Sequence, residues 1–185
     1  MDGIRGDPHL SALIEEHGEL ELAPAEDTFG RFVTSIVRQQ LSMASARAIR
    51  ERLFDRFEVT PGALRDADPE ALQAVGLSEG KATYVRNVAE AFDERGYSPE
   101  YFAGMDDEAV IEELTGIRGV GTWTAKMFLL FCLAREDVFP VEDLGIRNGM
   151  TELYGIEERA AMVEKAEDWR PHRSYASLYL WRTTD

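Results

Sequence analysis

Residues 114–125 contain three glycines whose spacing suits the binding of an anion by the backbone. Gly116, Gly119 and Gly121 follow one another at intervals of three and two residues, and a stretch with helical apolar spacing begins directly after them. Glycine accepts positive φ and lets a ligand approach the backbone, because it has no Cβ. The first N–H groups of the following helix, at the positive end of its dipole, bind anions. The segment therefore predicts a phosphate-binding turn between two helices.

The apolar residues around this turn favour one particular motif. A lone Gly-x-Gly is typical of an ordinary turn in a helical protein, and that alternative accounts for the glycines alone. Leu114, Ile117 and Val120 add an apolar pattern that matches the helix-hairpin-helix DNA-binding motif position by position. We therefore expect residues 114–125 to bind the DNA backbone.

One carboxylate, Asp143, lies directly before the apolar sequence Leu144-Gly145-Ile146. At a helix start an aspartate is a favourable N-cap, because its side chain accepts a hydrogen bond from an N–H of the first turn. A carboxylate can also stabilise positive charge that develops in a reaction and orient or deprotonate a water molecule. Its place before Leu144 predicts an N-cap for Asp143, which leaves its carboxylate available for a second role.

The charge of the chain is unevenly distributed. A net charge of −15 at first argues against a nucleic-acid partner. However, residues 28–50, 114–135 and 169–184 contain no Asp or Glu and hold ten of the 20 Lys and Arg residues. Those ten are Arg31, Arg38, Arg47, Arg50, Arg118, Lys126, Arg135, Arg170, Arg173 and Arg182. Burial alone would remove the acids but would not retain the bases, so a shared non-acidic surface is favoured.

Composition also indicates the class of protein and its setting. The 185 residues suffice for one domain or two small lobes. The longest apolar run, Met127 to Leu133, is too short to cross a bilayer, and Met1 to Leu10 lacks the apolar stretch of a signal peptide. We therefore expect a cytoplasmic protein with no membrane partner. The acidic composition, with only three lysines, predicts a halophilic host.

The elements that position these residues are predicted to be helices throughout, an all-α fold. One helix starts at Asp7-Pro8 and runs through Ile14, a second starts at Asp27-Thr28, and a third starts near Ser42. A short extended piece is expected at residues 58–60. Further helices are predicted at residues 69–75, 79–95, 98–103, 106–115, 122–134, 144–153, 157–167 and 171–182.

Two more segments complete a family resemblance. Residues 36–42 read Ile-Val-Arg-Gln-Gln-Leu-Ser, and residues 139–147 read Phe-Pro-Val-Glu-Asp-Leu-Gly-Ile-Arg. With Trp-Arg-Pro-His-Arg-Ser-Tyr-Ala at residues 169–176 and the hairpin, the chain resembles the helix-hairpin-helix DNA glycosylase superfamily. Within it, the chain is most similar to the 3-methyladenine DNA glycosylase II branch, from about Asp7 to Arg182.

The chain departs from this family in two respects. Larger members carry an extra N-terminal β-rich domain, for which little sequence precedes the helical core here. The endonuclease III branch carries an iron–sulfur cluster, which the single Cys132 cannot ligate.

The resemblance implies a single glycosylase core over residues 1–185 with two helical lobes. One lobe would comprise residues 28–135, including the hairpin, and the other residues 1–27 plus 136–185. A cleft between the lobes would bind DNA and the excised base.

The resemblance also implies roles for individual residues. Asp143 corresponds to the essential catalytic carboxylate, while the adjacent Glu142 is expected to be a bystander. Trp123 occupies the place of the lysine that forms a Schiff base in bifunctional relatives, so no strand-cleaving lyase activity is expected. Trp181 and Trp123 would line the base pocket, although core packing is the alternative for each, and Trp169 is expected in the core. Met127 and Leu144 are further pocket candidates.

The remaining implied contacts concern DNA. Gln39, Gln40 and Leu41 match the loop that fills the gap left by a flipped base, with Gln40 better aligned and Leu41 more apolar. Thr124 and Lys126 are expected to contact DNA together with Gly119 and Gly121. The backbone carbonyls of Thr115, Ile117 and Gly119 would hold Na⁺ or K⁺ in the hairpin.

These features together predict a monofunctional DNA glycosylase. It would flip an alkylated base of the 3-methyladenine or 7-methylguanine type out of double-stranded DNA and hydrolyse its glycosidic bond, as a monomer and with no required cofactor. Two alternatives remain open. One is a glycosylase of the same fold for uracil, mismatched or oxidised bases, and the other is a non-catalytic DNA-binding module.

Overall fold

A computed structural model describes residues 2–183, and within that range every regular element is a helix. The predicted all-α class is confirmed. No helix of the described residues is long and apolar enough to span a bilayer. The helices are α1 (Asp2–Gly6), α2 (Pro8–His17), α3 (Thr28–Arg38), α4 (Met43–Arg56), α5 (Pro61–Arg65), α6 (Pro69–Ala74), α7 (Glu79–Arg95), α8 (Pro99–Phe102), α9 (Asp107–Thr115), α10 (Thr122–Phe131), α11 (Leu144–Tyr154), α12 (Arg159–Ala166) and α13 (Arg173–Arg182).

Local sequence signals account for most of these boundaries. The helix predicted at 79–95 is confirmed residue for residue, because Ser78 caps its N-terminus and Gly96, in the left-handed conformation, ends it. Two short helices, α1 and α5, were not predicted. The extended piece predicted at 58–60 forms no strand, and Thr60 instead caps α5 by accepting a hydrogen bond from the N–H of Ala63.

The chain divides into two compact units. One comprises the residues up to Pro24 together with those from Leu129 onward, and the other comprises Ala25–Phe128. The core of the second unit is aromatic. The buried Phe128 ring meets Phe32 edge-on at 4.9 Å and Phe102 at 5.2 Å between ring centroids, and Phe92 packs against the same group. These contacts join α3, α7, α8 and α10.

The core of the first unit forms around Trp169, which is fully buried as predicted. Helices α11 and α13 approach closely at Gly149, where a Cβ would lie 2.7 Å from the carbonyl oxygen of Leu180. The buried Tyr179 hydroxyl donates to the carbonyl of Gly18 at 2.9 Å and accepts from the N–H of Leu20 at 3.1 Å. The chain segment after α2 is thereby tied to α13.

A buried carboxylate ties α2 to the end of the same unit. Asp7 caps α2 and accepts hydrogen bonds from the Tyr154 hydroxyl at 2.8 Å and the Trp169 indole at 3.2 Å. Its Oδ2 lies 2.9 Å from Nζ of Lys165. Burial raises the pKa of Asp7, but the hydrogen bonds, led by those from Lys165 and Tyr154, outweigh burial and lower this pKa from 3.8 to about 2.

The Asp7 network predicts a pH-dependent contribution to stability. We expect Asp7→Asn to lower the free energy of unfolding at pH 7 by about 1–3 kcal/mol, because the charged hydrogen bonds to Lys165 and Trp169 are weakened. A carboxyl group whose pKa is lower in the folded state stabilises the folded protein at pH values above its unfolded pKa. The difference in free energy of unfolding between wild type and Asp7→Asn should therefore be complete above about pH 4 and shrink as the pH falls toward about 2.

Urea denaturation at several pH values measures this deficit. Asp68→Asn is the matched control, since Asp68 is an exposed N-cap of α6 and asparagine caps equally well. A deficit for Asp7→Asn that stays constant from pH 7 to pH 2 would contradict the proposed origin.

Candidate nucleic-acid and catalytic site

The predicted hairpin is present. Helix α9 ends at Thr115, a turn follows, and α10 begins at Thr122. Leu114, Ile117 and Val120 are buried, which anchors the turn in the core, whereas Gly121 and Thr122 are exposed. The N-terminal edge of α10 therefore reaches the protein surface, as a phosphate-binding edge requires.

Two side-chain amides hold the carbonyl groups of the turn. Nε2 of Gln39 donates to the carbonyl oxygen of Gly119 and to Oγ1 of the buried Thr124, both at 2.9 Å. Nδ2 of Asn87 donates to the carbonyl oxygen of Arg118 at 3.0 Å. Gln39, predicted to belong to the gap-filling loop, thus directs its side chain to the hairpin.

Gly119 is required where it stands. Its φ is +104°, a conformation that L side chains rarely adopt. A Cβ at this position would overlap the ring of Tyr84 in α7. Tyr84 therefore supports the turn through a close approach that only glycine permits.

The loop that follows α3 presents the other two candidates to the outside. Gln40 is exposed and has φ +55°, and Leu41 is 39% exposed. A non-glycine residue in the left-handed region is uncommon and is often found at functional sites. Nζ of Lys81, whose pKa is lowered by burial, donates to the carbonyl of Val37 at 2.6 Å and so fixes the end of α3.

Two of the three acid-free segments meet, but two of the three arginines of the third segment have a different role from the one expected. Gln39 brings residues 28–50 into contact with residues 114–135. In the third segment, Arg170 and Arg173 pair with Asp137 and Glu167. Acids from neighbouring segments therefore offset these two positive charges, which correspondingly contribute less to a basic surface.

The carbonyls suggested as cation ligands are partly engaged. The oxygen of Ile117 accepts from the N–H of Val120 at 3.0 Å, and that of Gly119 accepts from Gln39. Each carbonyl oxygen has two lone pairs, so both oxygens can accept one further contact. Within residues 2–183, no three His, Cys, Asp or Glu side chains gather as metal ligands.

In the first unit, Asp143 caps α11, which confirms the structural role predicted for it. Its Oδ1 accepts hydrogen bonds from the N–H of Ile146 at 3.2 Å and from Nε1 of Trp181 at 2.8 Å. The Asp143 residue is half-buried. Two N–H donors therefore hold one carboxylate oxygen of Asp143 at the start of α11.

The close approach of Trp181 depends on a glycine. A Cβ on Gly145 would lie 2.8 Å from Cδ1 of Trp181 and 3.1 Å from Oδ1 of Asp143. On α10, Phe131 stacks against the indole with ring centroids 5.7 Å apart. Leu144, next to Asp143, is 63% exposed.

The loop before Asp143 is held by the start of α13. Oγ of the buried Ser174 donates to the carbonyl of Arg135 at 2.6 Å and accepts from the N–H of Val138 at 2.9 Å. The Arg173 guanidinium binds Asp137 through Nε at 2.7 Å and Nη2 at 3.0 Å. The motif at residues 169–176 therefore positions the loop that carries the carboxylate.

The other predicted site residues lie on α10. Trp123 and Lys126 are half-buried, and Met127 is buried. The supporting residues Asn87, Tyr84 and Gly145 were not found from the sequence. The first two lie far from the hairpin in sequence and have no local pattern that marks them.

We expect Gly119→Ala to destabilise the protein by about 2–4 kcal/mol, because the new methyl group strains the left-handed backbone and overlaps Tyr84. Urea denaturation measures this loss. Gly121→Ala is the matched control, since a Cβ there meets nothing within 4 Å. Equal stability of the two variants would refute the requirement for glycine at position 119.

Comparison with known proteins agrees with this geometry. The chain is 34% identical over 172 residues to DNA-3-methyladenine glycosylase 1 of Schizosaccharomyces pombe, covering 86% of this chain and 73% of that protein. It is 35% identical over 179 residues to DNA-3-methyladenine glycosylase 2 of Escherichia coli, covering 89% of this chain and 60% of that protein. A putative DNA-3-methyladenine glycosylase of Bacillus subtilis is 30% identical over 188 residues, with 95% and 66% covered. The chain thus spans only part of the length of these relatives.

A solved structure gives the same result for the fold. The S. pombe 3-methyladenine DNA glycosylase in complex with abasic DNA matches with a TM-score of 0.88 and 30% identity, covering 99% of this chain and 95% of that chain. The family model of HhH-GPD superfamily base excision DNA repair proteins matches residues 33–171. The chain belongs to the HhH-GPD superfamily of base excision DNA repair proteins.

Proposed function

We propose that this protein is a monofunctional DNA glycosylase that excises alkylated bases of the 3-methyladenine and 7-methylguanine type from double-stranded DNA. The main support is Asp143, whose half-buried carboxylate is held by Trp181 and by the start of α11. The kinship with 3-methyladenine glycosylases supports the choice of lesion. The protein acts as a monomer in the cytoplasm.

DNA binding begins at the hairpin. The exposed edge at Gly121 and Thr122 takes a backbone phosphate through its N–H groups. Gln40 and Leu41 enter the gap left by the flipped base, which offsets the few kcal/mol of lost stacking. Gln40 has the polar side chain that can hydrogen-bond the orphaned partner base.

The chemistry is assigned to Asp143. Glycosidic cleavage passes through an oxocarbenium-like transition state. The Asp143 carboxylate stabilises this positive charge and orients the attacking water. An alkylated purine is already a good leaving group, and the aromatic face of Trp181, which contacts Asp143, attracts its positive charge. Because Trp123 cannot form a Schiff base, no strand cleavage follows.

No cofactor takes part in this reaction. A sodium or potassium ion on the carbonyls of Thr115, Ile117 and Gly119 would add positive charge near the bound phosphate. The single Cys132 leaves no ligand set for an iron–sulfur cluster.

Duplexes that each carry one lesion test this function. We expect release of 3-methyladenine and 7-methylguanine, with strand breakage only after alkali, and slower or no release of uracil and 8-oxoguanine. Asp143→Asn should reduce release by at least about 100-fold, because the charge that stabilises the transition state is removed. Its Kd for a duplex with a neutral tetrahydrofuran abasic analogue should stay within a few-fold of the wild-type value.

Each alternative predicts a different result in the same assay. Preferred release of uracil or 8-oxoguanine would assign the protein to another lesion class. Binding without release of any base would indicate a non-catalytic module. Unchanged turnover in Asp143→Asn would show that a different group acts on the sugar.

We also propose a halophilic host. At molar salt the Debye length is about 3 Å, so the acidic surface hardly repels DNA. We expect DNA binding and base release to persist in about 2–3 M KCl, far above the roughly 0.2 M at which an ordinary electrostatic interface has already lost most of its affinity. Assays from about 0.05 to 3 M KCl measure this, and activity confined to low salt would contradict a halophilic origin.

A further inference from the structure

The indole of Trp181 contacts the carboxylate through its N–H group as well as offering an aromatic face. Nε1 donates to Oδ1 of Asp143 at 2.8 Å, the same oxygen that accepts the N–H of Ile146. Two donors from different helices, α13 and the first turn of α11, therefore converge on one oxygen. Two hydrogen bonds from different directions restrict the rotation of a carboxylate more than a cap alone does.

The indole is itself held in place. Phe131 stacks on it with an interplanar angle of 29°. On the opposite helix, Gly145 leaves room for it, because any Cβ there would lie 2.8 Å from Cδ1 of Trp181. Close packing of α11 on α13 at Gly149 fixes the spacing between the two helices. Because the indole of Trp181 is packed on both sides, its N–H group stays in one place. Rotation of the Asp143 carboxylate would therefore break this hydrogen bond.

We propose that Trp181 is a positioning residue for the catalytic carboxylate, and that Gly145 allows it to act. This inference rests on the proposed function of Asp143. The indole N–H holds the carboxylate in the orientation that the developing positive charge on the sugar requires. Such preorganisation lowers the barrier, because the charge does not have to be reoriented during the reaction.

Two variants disturb this contact from opposite sides. Trp181→Phe keeps a flat aromatic face for the base but removes the N–H donor. Gly145→Ala keeps the donor but crowds both Cδ1 of Trp181 and Oδ1 of Asp143, and so forces the two groups apart. Alanine is also a better helix former than glycine, so a loss of function in Gly145→Ala does not reflect a weaker α11. Tyr175→Phe, on α13 and outside the site, is the matched control.

The decisive measurement uses two duplexes that contain no lesion base. One carries a pyrrolidine abasic analogue, whose cationic ring mimics the charged sugar, and the other carries a neutral tetrahydrofuran analogue. We expect wild type and Tyr175→Phe to bind the cationic duplex more tightly, and Asp143→Asn to lose that preference. Trp181→Phe and Gly145→Ala should each lose about 10-fold of the preference, with Kd for the neutral duplex unchanged.

Single-turnover rates give a second, independent readout. A misplaced carboxylate slows the release of 7-methylguanine in both Trp181→Phe and Gly145→Ala, by about 10- to 100-fold for the loss of a charged hydrogen bond. If Trp181 were only a wall of the base pocket, Trp181→Phe would slow 7-methylguanine release but would keep the wild-type preference for pyrrolidine. That result overturns the proposal.

Failure of the underlying function would be seen separately. Wild-type protein that releases no base and shows no preference for the cationic duplex would refute the glycosylase assignment. Wild-type protein that does both, alongside a fully active Trp181→Phe, would refute only the positioning role. Thermal melting confirms folding, and if Trp181→Phe does not fold, a wild-type preference for the cationic duplex in Gly145→Ala would overturn the positioning role.

Discussion

The proposed chemistry depends on the hydrogen bonds that hold the carboxylate of Asp143 at the start of α11. A half-buried carboxylate loses part of its hydration and needs hydrogen bonds in return. Asp143 accepts them from Ile146 and Trp181. The surrounding features serve this contact, since Gly145 makes room for the indole, and Ser174 fixes the loop that leads to the aspartate.

Side-chain hydrogen bonds also hold the hairpin, but here the backbone carbonyl oxygens of the turn are the acceptors. Amide donors from Gln39 and Asn87 occupy carbonyls of the turn, so the conformation is held by side chains of neighbouring helices. Tyr84 packs where Gly119 has no side chain. A rigid turn can present N–H groups to a phosphate without an ordering cost at the moment of binding. Gln39 also joins the hairpin to the loop of Gln40 and Leu41, linking the two elements expected to touch DNA.

The charge pattern has two physical origins rather than one. Around the hairpin, the absence of acids coincides with residues that are proposed to meet DNA, and Gln39 brings two such segments together. In the segment from residue 169, Arg170 and Arg173 bind Asp137 and Glu167 and stabilise a loop. A gap in the acids along the sequence therefore indicates either a binding surface or a site that receives acids from elsewhere in the fold.

Sequence by itself determined the helical class, most helix boundaries, the hairpin and the cap at Asp143, because apolar spacing and caps act between residues at most a few positions apart. The short helices α1 and α5 carry too few residues for such a pattern. Only the tertiary structure decided that Gln39 would reach Gly119, 80 residues away, and that Trp181 would reach Asp143, 38 residues away. Such contacts depend on how helices pack, and close packing at residues such as Gly145 and Gly149 leaves no periodic signal in the chain.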